Sequence, residues 1–258
     1  YAISALAKPF FYFADSWGWV AGVRWADRVG KGIRTAPRDA LVADSIDESQ
    51  RGLAFGFQRA ADTGGAMVGL LIALGIVWAA QSSSAALGLD TFRMVVLASL
   101  LPAALAVLSL AVGAVEIQPA ASANPPKFAL KSLGKPFMVF MLIVGLFDLG
   151  NSSDAFLVLR AQERGISVLG ILGMLVVFNL VYTLVSTPAG RLSDKINRRT
   201  LIIGGWLVYA LVYLGFGLAQ TQWQVWVLYV LYGLYYGMAY GTSKAMVADL
   251  VPENMRGT

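Results

Sequence analysis

The chain has 258 residues, of which 57% are hydrophobic and 14% charged, whereas soluble domains carry roughly 25% charged residues, so water is not its main solvent. It has no cysteine and no histidine, which excludes disulfides, thiolate chemistry and histidine-based metal sites or proton relays from this segment. The net charge of +5 is accounted for by basic loops and does not indicate nucleic-acid binding.

Apolar runs of about 20 residues, enough to cross a hydrocarbon core, recur along most of the chain. This recurrence excludes a signal peptide on a soluble domain. Hydrophobic periodicity predicts seven long helices, preceded by the tail of another. Their predicted ranges are 15–46, 53–80, 92–116, 136–159, 168–189, 200–219 and 223–250. A stretch rich in Pro, Ala and Ser over 117–135 is the natural boundary between two halves.

Basic residues are distributed unevenly over the joints between these helices. Assigning alternate joints to one side gathers nine cations there, against Arg93, Arg160 and Arg164 on the other side. The nine are Arg51, Lys127, Lys131, Lys135, Arg191, Lys195, Arg198, Arg199 and Arg256. Because short cytoplasmic loops carry an excess of Lys and Arg, the nine-cation side is predicted to be cytoplasmic.

The sequence contains an internal repeat. Residues 40–52 read ALVADSIDESQRG and residues 245–257 read AMVADLVPENMRG, at a constant offset of 205 residues. Both copies end an apolar helix with Asp and start the next with Glu-x-x-Arg-Gly, where a carboxylate suits the positive end of the helix dipole. A parallel repeat of this size predicts a transporter whose halves are related by an axis along the membrane normal.

A second motif carries a family resemblance. Residues 190–199, GRLSDKINRR, resemble the basic loop signature of the major facilitator superfamily, Gly-x-x-x-Asp-(Arg/Lys)-x-Gly-(Arg/Lys)-(Arg/Lys). Asn197 stands where the family usually has Gly, a mild departure because both residues can adopt left-handed backbone geometry. Residues 27–41 and 150–156 look like an uncharacterised prokaryotic branch of the superfamily.

The resemblance implies an all-α membrane protein, a helical bundle of two pseudo-symmetric six-helix halves. Residues 1–116 would hold the end of helix three and helices four to six, 117–135 a cytoplasmic linker, and 136–258 helices seven to ten. The chain begins inside an apolar stretch and ends where a new helix would start, so we expect a fragment truncated at both ends.

The resemblance also implies a function: secondary active transport of a small organic solute by alternating access, with proton coupling expected and efflux left open. Gly56, Gly65 and Gly69 have the spacing of the family's antiporter signature, although Leu70 occupies its Pro position. Ordinary close helix packing is the preferred interpretation of these glycines. In the family, the loop Asp and the Glu-x-x-Arg-Gly turns latch one conformation. The implied latch residues are Gly190, Asp194, Lys195, Arg198, Arg199, Glu48, Arg51, Glu253 and Arg256.

Many charges lie within predicted helices. One face of the helix over 15–46 holds Arg24, Asp27, Arg28, Lys31, Arg34, Arg38 and Asp39. An ion at the bilayer centre costs roughly 2.5 to 3.5 kcal/mol on insertion scales, so these charges should face a cavity or partners. Alternatively, the membrane helix stops near Val23 and the charges lie in a cytoplasmic loop. The repeat partner, 229–242, reads as a spanning helix and favours the first interpretation.

Other polar groups in mid-helix complete the predicted substrate and proton pathway: Arg59, Asp62, Asp148, Asn151, Asp154 and Lys244. Cations exceed carboxylates by two over the whole pathway, which favours an anionic or zwitterionic solute unless the missing helices balance them. Asp148 lies nearest the middle of its helix, where burial favours the protonated form. It is the predicted proton carrier.

Other classes of protein remain as alternatives or are excluded. A non-transporting sensor or scaffold with a transporter fold is the alternative. No nucleophile with a base, no metal cluster and no phosphate loop occurs in the sequence, so we predict neither an enzyme nor a cofactor. The expected partners are the lipid bilayer, the solute and protons. The expected state is a multi-pass monomer in the cytoplasmic membrane of a prokaryote.

Overall fold

The computed structural model describes residues 6–81, 87–113 and 133–252, which form eight α-helices of ten residues or more. Their bounds are α1 Trp17–Asp44, α2 Arg51–Gln81, α3 Leu89–Gly113, α4 Gly134–Gly150, α5 Asp154–Glu163, α6 Val168–Ser193, α7 Arg198–Leu218 and α8 Gln222–Leu250. The predicted tail of an earlier helix is a 3-10 turn over Lys8–Phe13, and another turn over Glu48–Gln50 precedes α2. We call residues 6–113 the first segment and 133–252 the second segment.

One predicted helix is two helices in the structure. The range 136–159 is divided into α4 and α5 by residues 151–153. Asn151 leaves the helical conformation with φ −87° and ψ 107°, and the hydroxyl of Ser153 accepts the N–H of Ala155 to start α5. Asn and Ser compete with helical hydrogen bonds through their own side chains, which favours a break here.

The charged helix α1 is continuous. It runs through Pro37 to Asp44, and Ser16 caps its start by accepting the N–H of Trp19 at 3.4 Å. The part of the alternative that places these charges in a loop after Val23 is therefore wrong. At an offset of 205 residues, the ends of α1 fall within one residue of the ends of α8. The sequence repeat thus corresponds to a repeat of helices.

Five segments among the described residues are long and apolar enough to cross a membrane. They are Glu48–Gln81, Leu89–Gly113, Gly134–Glu163, Val168–Ser193 and Arg198–Leu218. The segment Gly134–Glu163 includes both α4 and α5 and the break between them. The repeat-related pair α1 and α8 falls outside this set; α1 is rich in charges and α8 in tyrosine and glycine.

Helix α2 connects the two segments. It packs along α6 and also contacts α8, while α6 and α7 pack on α8 within the second segment. The largest buried cluster lies in the second segment and includes Met174, Val212, Val225 and Tyr232. The second segment is therefore the better-packed unit, and α2 is the helix of the first segment that is most closely docked on it.

The contact between α6 and α8 requires a glycine. A Cβ atom on Gly233 would lie 2.7 Å from the carbonyl oxygen of Phe178 and 3.1 Å from the Cβ of Val181. A backbone carbonyl cannot move aside as a flexible side chain can, so any larger residue separates the helices.

We expect Gly233→Ala to lower the Tm of the purified full-length protein, with a cost of roughly 1 to 3 kcal/mol from overpacking. Gly217→Ala is the matched control, because no atom of the described residues lies within 4 Å of its Cβ position and Ala is the better helix former. Thermal unfolding in detergent measures both variants. Equal Tm values for the two variants would contradict the packing described here.

Candidate functional site

A carboxylate joins the two segments where α6 ends and α2 begins. Asp194 Oδ1 accepts the N–H of Gly52 at 2.7 Å and Asp194 Oδ2 accepts the N–H of Leu53 at 2.8 Å. The first N–H groups of a helix have no partner within the helix and carry the positive end of its dipole. Asp194 of the second segment therefore caps a helix of the first segment, and Arg198 holds the same carboxylate at 3.1 Å.

Glycines permit this capping. A Cβ on Gly52 would lie 2.5 Å from both Asp194 Oδ1 and the carbonyl oxygen of Gly190, and a Cβ on Gly56 would lie 2.5 Å from the carbonyl oxygen of Ser186. A Cβ on Gly190 would overlap the backbone of Gly52. Close packing thus accounts for Gly56 of the glycine pattern, whereas Gly65 and Gly69 have no described atom within 4 Å of a Cβ.

A second ion-pair group lies beside the cap. The side chain of Arg51 is only 2% exposed and pairs with Glu48 at 2.9 Å and with Asp249 at 3.2 Å. Asp249 also forms an ion pair with Arg198 Nε at 2.8 Å, so it links a cation of the first segment to a cation of the second. We call this end of the bundle, with Arg51, Asp194, Arg198 and Asp249, the basic end.

The predicted latch is partly assembled here. Gly190, Asp194, Arg198, Glu48 and Arg51 meet at the basic end. Lys195 and Arg199 are exposed and form no ion pair among the described residues, and Glu253 and Arg256 lie outside them. Asp249 is not among the predicted latch residues, although it occupies the same place in the repeat as Asp44.

A charge cluster lies further into the bundle. Lys244 pairs with Asp39 at 2.7 Å, and Arg38 contacts both Asp39 and Asp62 at 3.3 Å. Arg59 lies 3.7 Å from Asp62. Lys244 is about 9 Å from the end of α8 at the helical rise per residue, so the cluster is set back from the basic end. It joins α1 and α2 of the first segment to α8 of the second.

The Asp39–Lys244 pair occupies a special position in the repeat. The two residues are separated by 205 positions, which is the repeat offset, so they are equivalent in the two copies. Equivalent residues of a two-fold arrangement can touch only near the axis that relates them. The pair therefore marks the pseudo-two-fold axis, with its side chains 22% and 23% exposed.

A cluster of tyrosines lines the second segment beyond these charges. Its members are Tyr182, Tyr209, Tyr213, Tyr229, Tyr232, Tyr235, Tyr236 and Tyr240. The guanidinium of Arg59 lies 4.9 Å from the ring centroid of Tyr240 and 5.6 Å from that of Tyr182, whose hydroxyl oxygen it also contacts. The range 229–242 was predicted only as a spanning helix. The spacing of its tyrosines at 229, 232, 236 and 240, on one helical face, could have indicated the cluster.

The pathway residues of α4 and α5 lie beside this cluster. Asp154 accepts the hydroxyl of Tyr232 at 2.6 Å and that of Tyr236 at 3.1 Å. Asn151 accepts the hydroxyl of Tyr209 at 3.1 Å. The carboxylate of Asp148 is exposed and forms no hydrogen bond or ion pair with the described residues. Asp148 lies two residues before the end of α4, so the prediction that it lies buried near the middle of its helix is wrong. The helix break therefore presents Asn151 and Asp154, but not Asp148, to tyrosine hydroxyls.

The remaining predicted pathway residues lie on α1. Lys31 pairs with Asp27 at 2.8 Å, while Arg24 and Arg28 are exposed and Arg34 is partly buried. Lys31 lies about two helical turns before Arg38 on the same helix. The predicted pathway thus consists of a partly exposed set on α1, the charge cluster on the axis, and the polar groups at the helix break.

The structure is a helical bundle with several segments of membrane-spanning length and a parallel repeat, and Asp194 of its basic loop caps α2. These features define a multi-pass membrane protein of the transporter class. The chain belongs to the Major Facilitator Superfamily, whose family model matches residues 1–258. It is 34% identical over 266 residues to an uncharacterized MFS-type transporter of Methanocaldococcus jannaschii. The match covers 100% of this chain and 64% of that relative. The predicted family and the all-α fold are confirmed.

The axial pair can be tested by a double-mutant cycle with Asp39→Asn and Lys244→Gln. Breaking a buried pair costs about 3 to 5 kcal/mol, and the partial exposure of this pair lowers our expectation to roughly 1 to 3 kcal/mol for each single variant. The double variant should lose less stability than the two single variants lose together, because neither charge is then left without its partner. The measurement is Tm of the full-length protein.

The control is the cycle of Asp27→Asn and Lys31→Gln, an i,i+4 pair within α1 whose side chains are 16% and 47% exposed. Pairs at this spacing within one helix contribute about 0.3 to 0.5 kcal/mol, so the coupling should be smaller than that of the axial pair. Equal coupling in the two cycles would contradict a special role for the axial pair.

Proposed function

We propose that this protein is a secondary active transporter that moves a small organic solute across a prokaryotic cytoplasmic membrane by alternating access. In this proposal the basic end faces the cytoplasm and is closed in the conformation described above. The observation that carries it is the cap on α2, because Asp194 joins the two segments through hydrogen bonds that rigid-body rotation can break and remake.

The course of α2 supports a bundle closed at one end. Near the basic end α2 approaches α6 as closely as glycine allows, and Thr63 still shares a hydrogen bond of 2.8 Å with Thr183. The described contacts between α2 and α6 thus hold the two segments together from the basic end at least as far as Thr63.

The solute and coupling ion are part of the same proposal. With no histidine in the chain, a proton carrier among these residues has to be a carboxylate, and Asp148 remains our candidate because no described cation neutralises it. The excess of cations over carboxylates on the pathway favours an anionic or zwitterionic solute. Efflux is compatible with this proposal. The antiporter-like glycine pattern does not support efflux independently, because close packing already accounts for Gly56.

We expect Asp194→Asn to favour the conformation open at the basic end. The amide has no charge to attract the helix dipole, and hydrogen bonds to charged groups contribute about 1.5 to 3 kcal/mol, equivalent to roughly tenfold or more in population. The readout is labelling, by a membrane-impermeant maleimide from the cytoplasmic side, of Ser186→Cys, which is buried between α2 and α6. Labelling should become several-fold faster.

The control for this experiment is Asp90→Asn, which removes a 90% exposed carboxylate at the start of α3 and should leave labelling unchanged. Transport and labelling rates in Asp194→Asn that match the unsubstituted protein would contradict the latch.

Proton coupling is tested in proteoliposomes that contain the full-length protein and a pH-sensitive dye. Anionic and zwitterionic metabolites are added as separate panels, and we expect solute-driven proton movement with one of them. Asp148→Asn should abolish that movement, whereas Asp90→Asn should retain it. Binding without proton movement or exchange of labelled solute for any compound would favour the alternative, a sensor or scaffold with a transporter fold.

A further inference from the structure

We propose that Asp154 and the surrounding tyrosines bind the cationic group of the solute, an organic ammonium or guanidinium. This inference rests on the proposed transport function and narrows its substrate class. Of the solutes left open above, it selects a zwitterion or a solute with a separate positive group. Purely anionic solutes would have no partner for Asp154.

The carboxylate of Asp154 is held in place but not neutralised. Tyr232 and Tyr236 donate hydroxyl hydrogens to it, and the ring of Tyr232 is only 1% exposed, which fixes one donor firmly. Asp154 is also the first residue of α5, where the helix dipole stabilises an ionised carboxylate. No lysine or arginine of the described residues forms an ion pair with Asp154.

The elements packed around Asp154 supply hydroxyls and negative charge. Tyr232 and Tyr236 face it from α8, and Tyr213 of α7 lies 3.1 Å from the hydroxyl of the adjacent Ser152. Asp148, at the end of α4, adds a second carboxylate to the same region of the chain. Since the donors are neutral, this region retains a net negative charge that a cation would balance.

The neighbouring rings are suited to the same ligand. Tyr232 and Tyr236 meet edge to face at 4.9 Å, and Tyr236 stacks on Tyr240 at 4.6 Å. Aromatic faces attract ammonium and guanidinium groups through their quadrupoles. The tyrosine cluster already holds one guanidinium, that of Arg59 over Tyr240 and Tyr182.

Arg59 and Asp154 contact different members of the tyrosine cluster. The guanidinium of Arg59 lies over the ring of Tyr240, whereas the carboxylate of Asp154 accepts the hydroxyls of Tyr232 and Tyr236 at the helix break. Asp154 is exposed and therefore accessible to a solute, whereas Arg59 is partly buried among its partners. The site for the solute cation is therefore beside Asp154 and the hydroxyl of Tyr236.

The test measures binding to the purified full-length protein by calorimetry with five probes. Choline and agmatine are cations, betaine and arginine carry both a cation and a carboxylate, and succinate is an anion. We expect at least one of the four probes with a cationic group to bind and succinate to bind more weakly. Asp154→Asn should weaken binding of that probe about tenfold or more, and Asp154→Glu should restore part of it.

Variants of Tyr236 separate the ring from the hydroxyl. Tyr236→Phe keeps the aromatic face and should lose less affinity than Tyr236→Leu, which loses both. Tm values for each variant identify those that fail to fold, and Asp90→Asn is the control for loss of an unrelated carboxylate. Stronger binding of succinate than of every cationic probe, or equal probe affinity in Asp154→Asn and the unsubstituted protein, would overturn the assignment.

Failure of this inference can be told from failure of the proposed function. Transport that is retained in Asp154→Asn with unchanged affinity would leave the transporter proposal standing and remove the cation site. Binding that depends on Asp154, without counterflow of the bound probe, would support the cation site and contradict transport. Loss of proton movement in Asp154→Asn with unchanged probe affinity would make Asp154 a proton site instead and overturn the inference.

Discussion

The hydrogen bonds from Gly52 and Leu53 to Asp194 are the constraint on which the contact between the two segments depends. They require the end of α6 to reach the start of α2, and this approach is possible only where glycines leave the space. Once the helices meet there, Arg51 is close enough to pair with Asp249. Further along α2, the same docking places Arg59 against the tyrosines of the second segment. The cap, the ion pairs and the cation–π contacts are thus consequences of one docked helix.

Charges deep in a membrane protein are tolerated when they have partners, and this chain arranges its partners across the two segments. Asp39 meets Lys244, and Asp249 lies between Arg51 and Arg198. Ion pairs of this kind hold surfaces together without the permanence of an apolar core, because water can replace each partner when the surfaces separate. The second segment has the large apolar cluster and the segment boundary has the charges, so in the proposed transport cycle we expect contacts to break at the boundary rather than within the second segment.

The family and the helix order could be predicted because they depend on local patterns: apolar runs, the 205-residue repeat and the basic loop. The break at 151–153 was missed because the apolar pattern continues on both sides of it, and only Asn151 and Ser153 indicate the turn. The bond between Asp194 and α2 joins residues about 140 positions apart, and no local pattern contains such a pairing. To predict the Asp39–Lys244 contact, one needs the position of the axis as well as the repeat. To predict that the tyrosines surround Asp154, one needs to know that the helix break faces α8.

The most direct test of alternating closure is to measure distances between spin labels at both ends of the full-length protein. This chain has no cysteine of its own, and any cysteine elsewhere in the full-length protein is first replaced. Labels are then introduced at Gln50 and Lys195 for the basic end and at Trp78 and Glu163 for the opposite end. We predict a short distance at the basic end that lengthens when a transported solute is added, while the distance at the opposite end shortens. Distances that stay fixed at both ends, or that change in the same direction, would contradict the account.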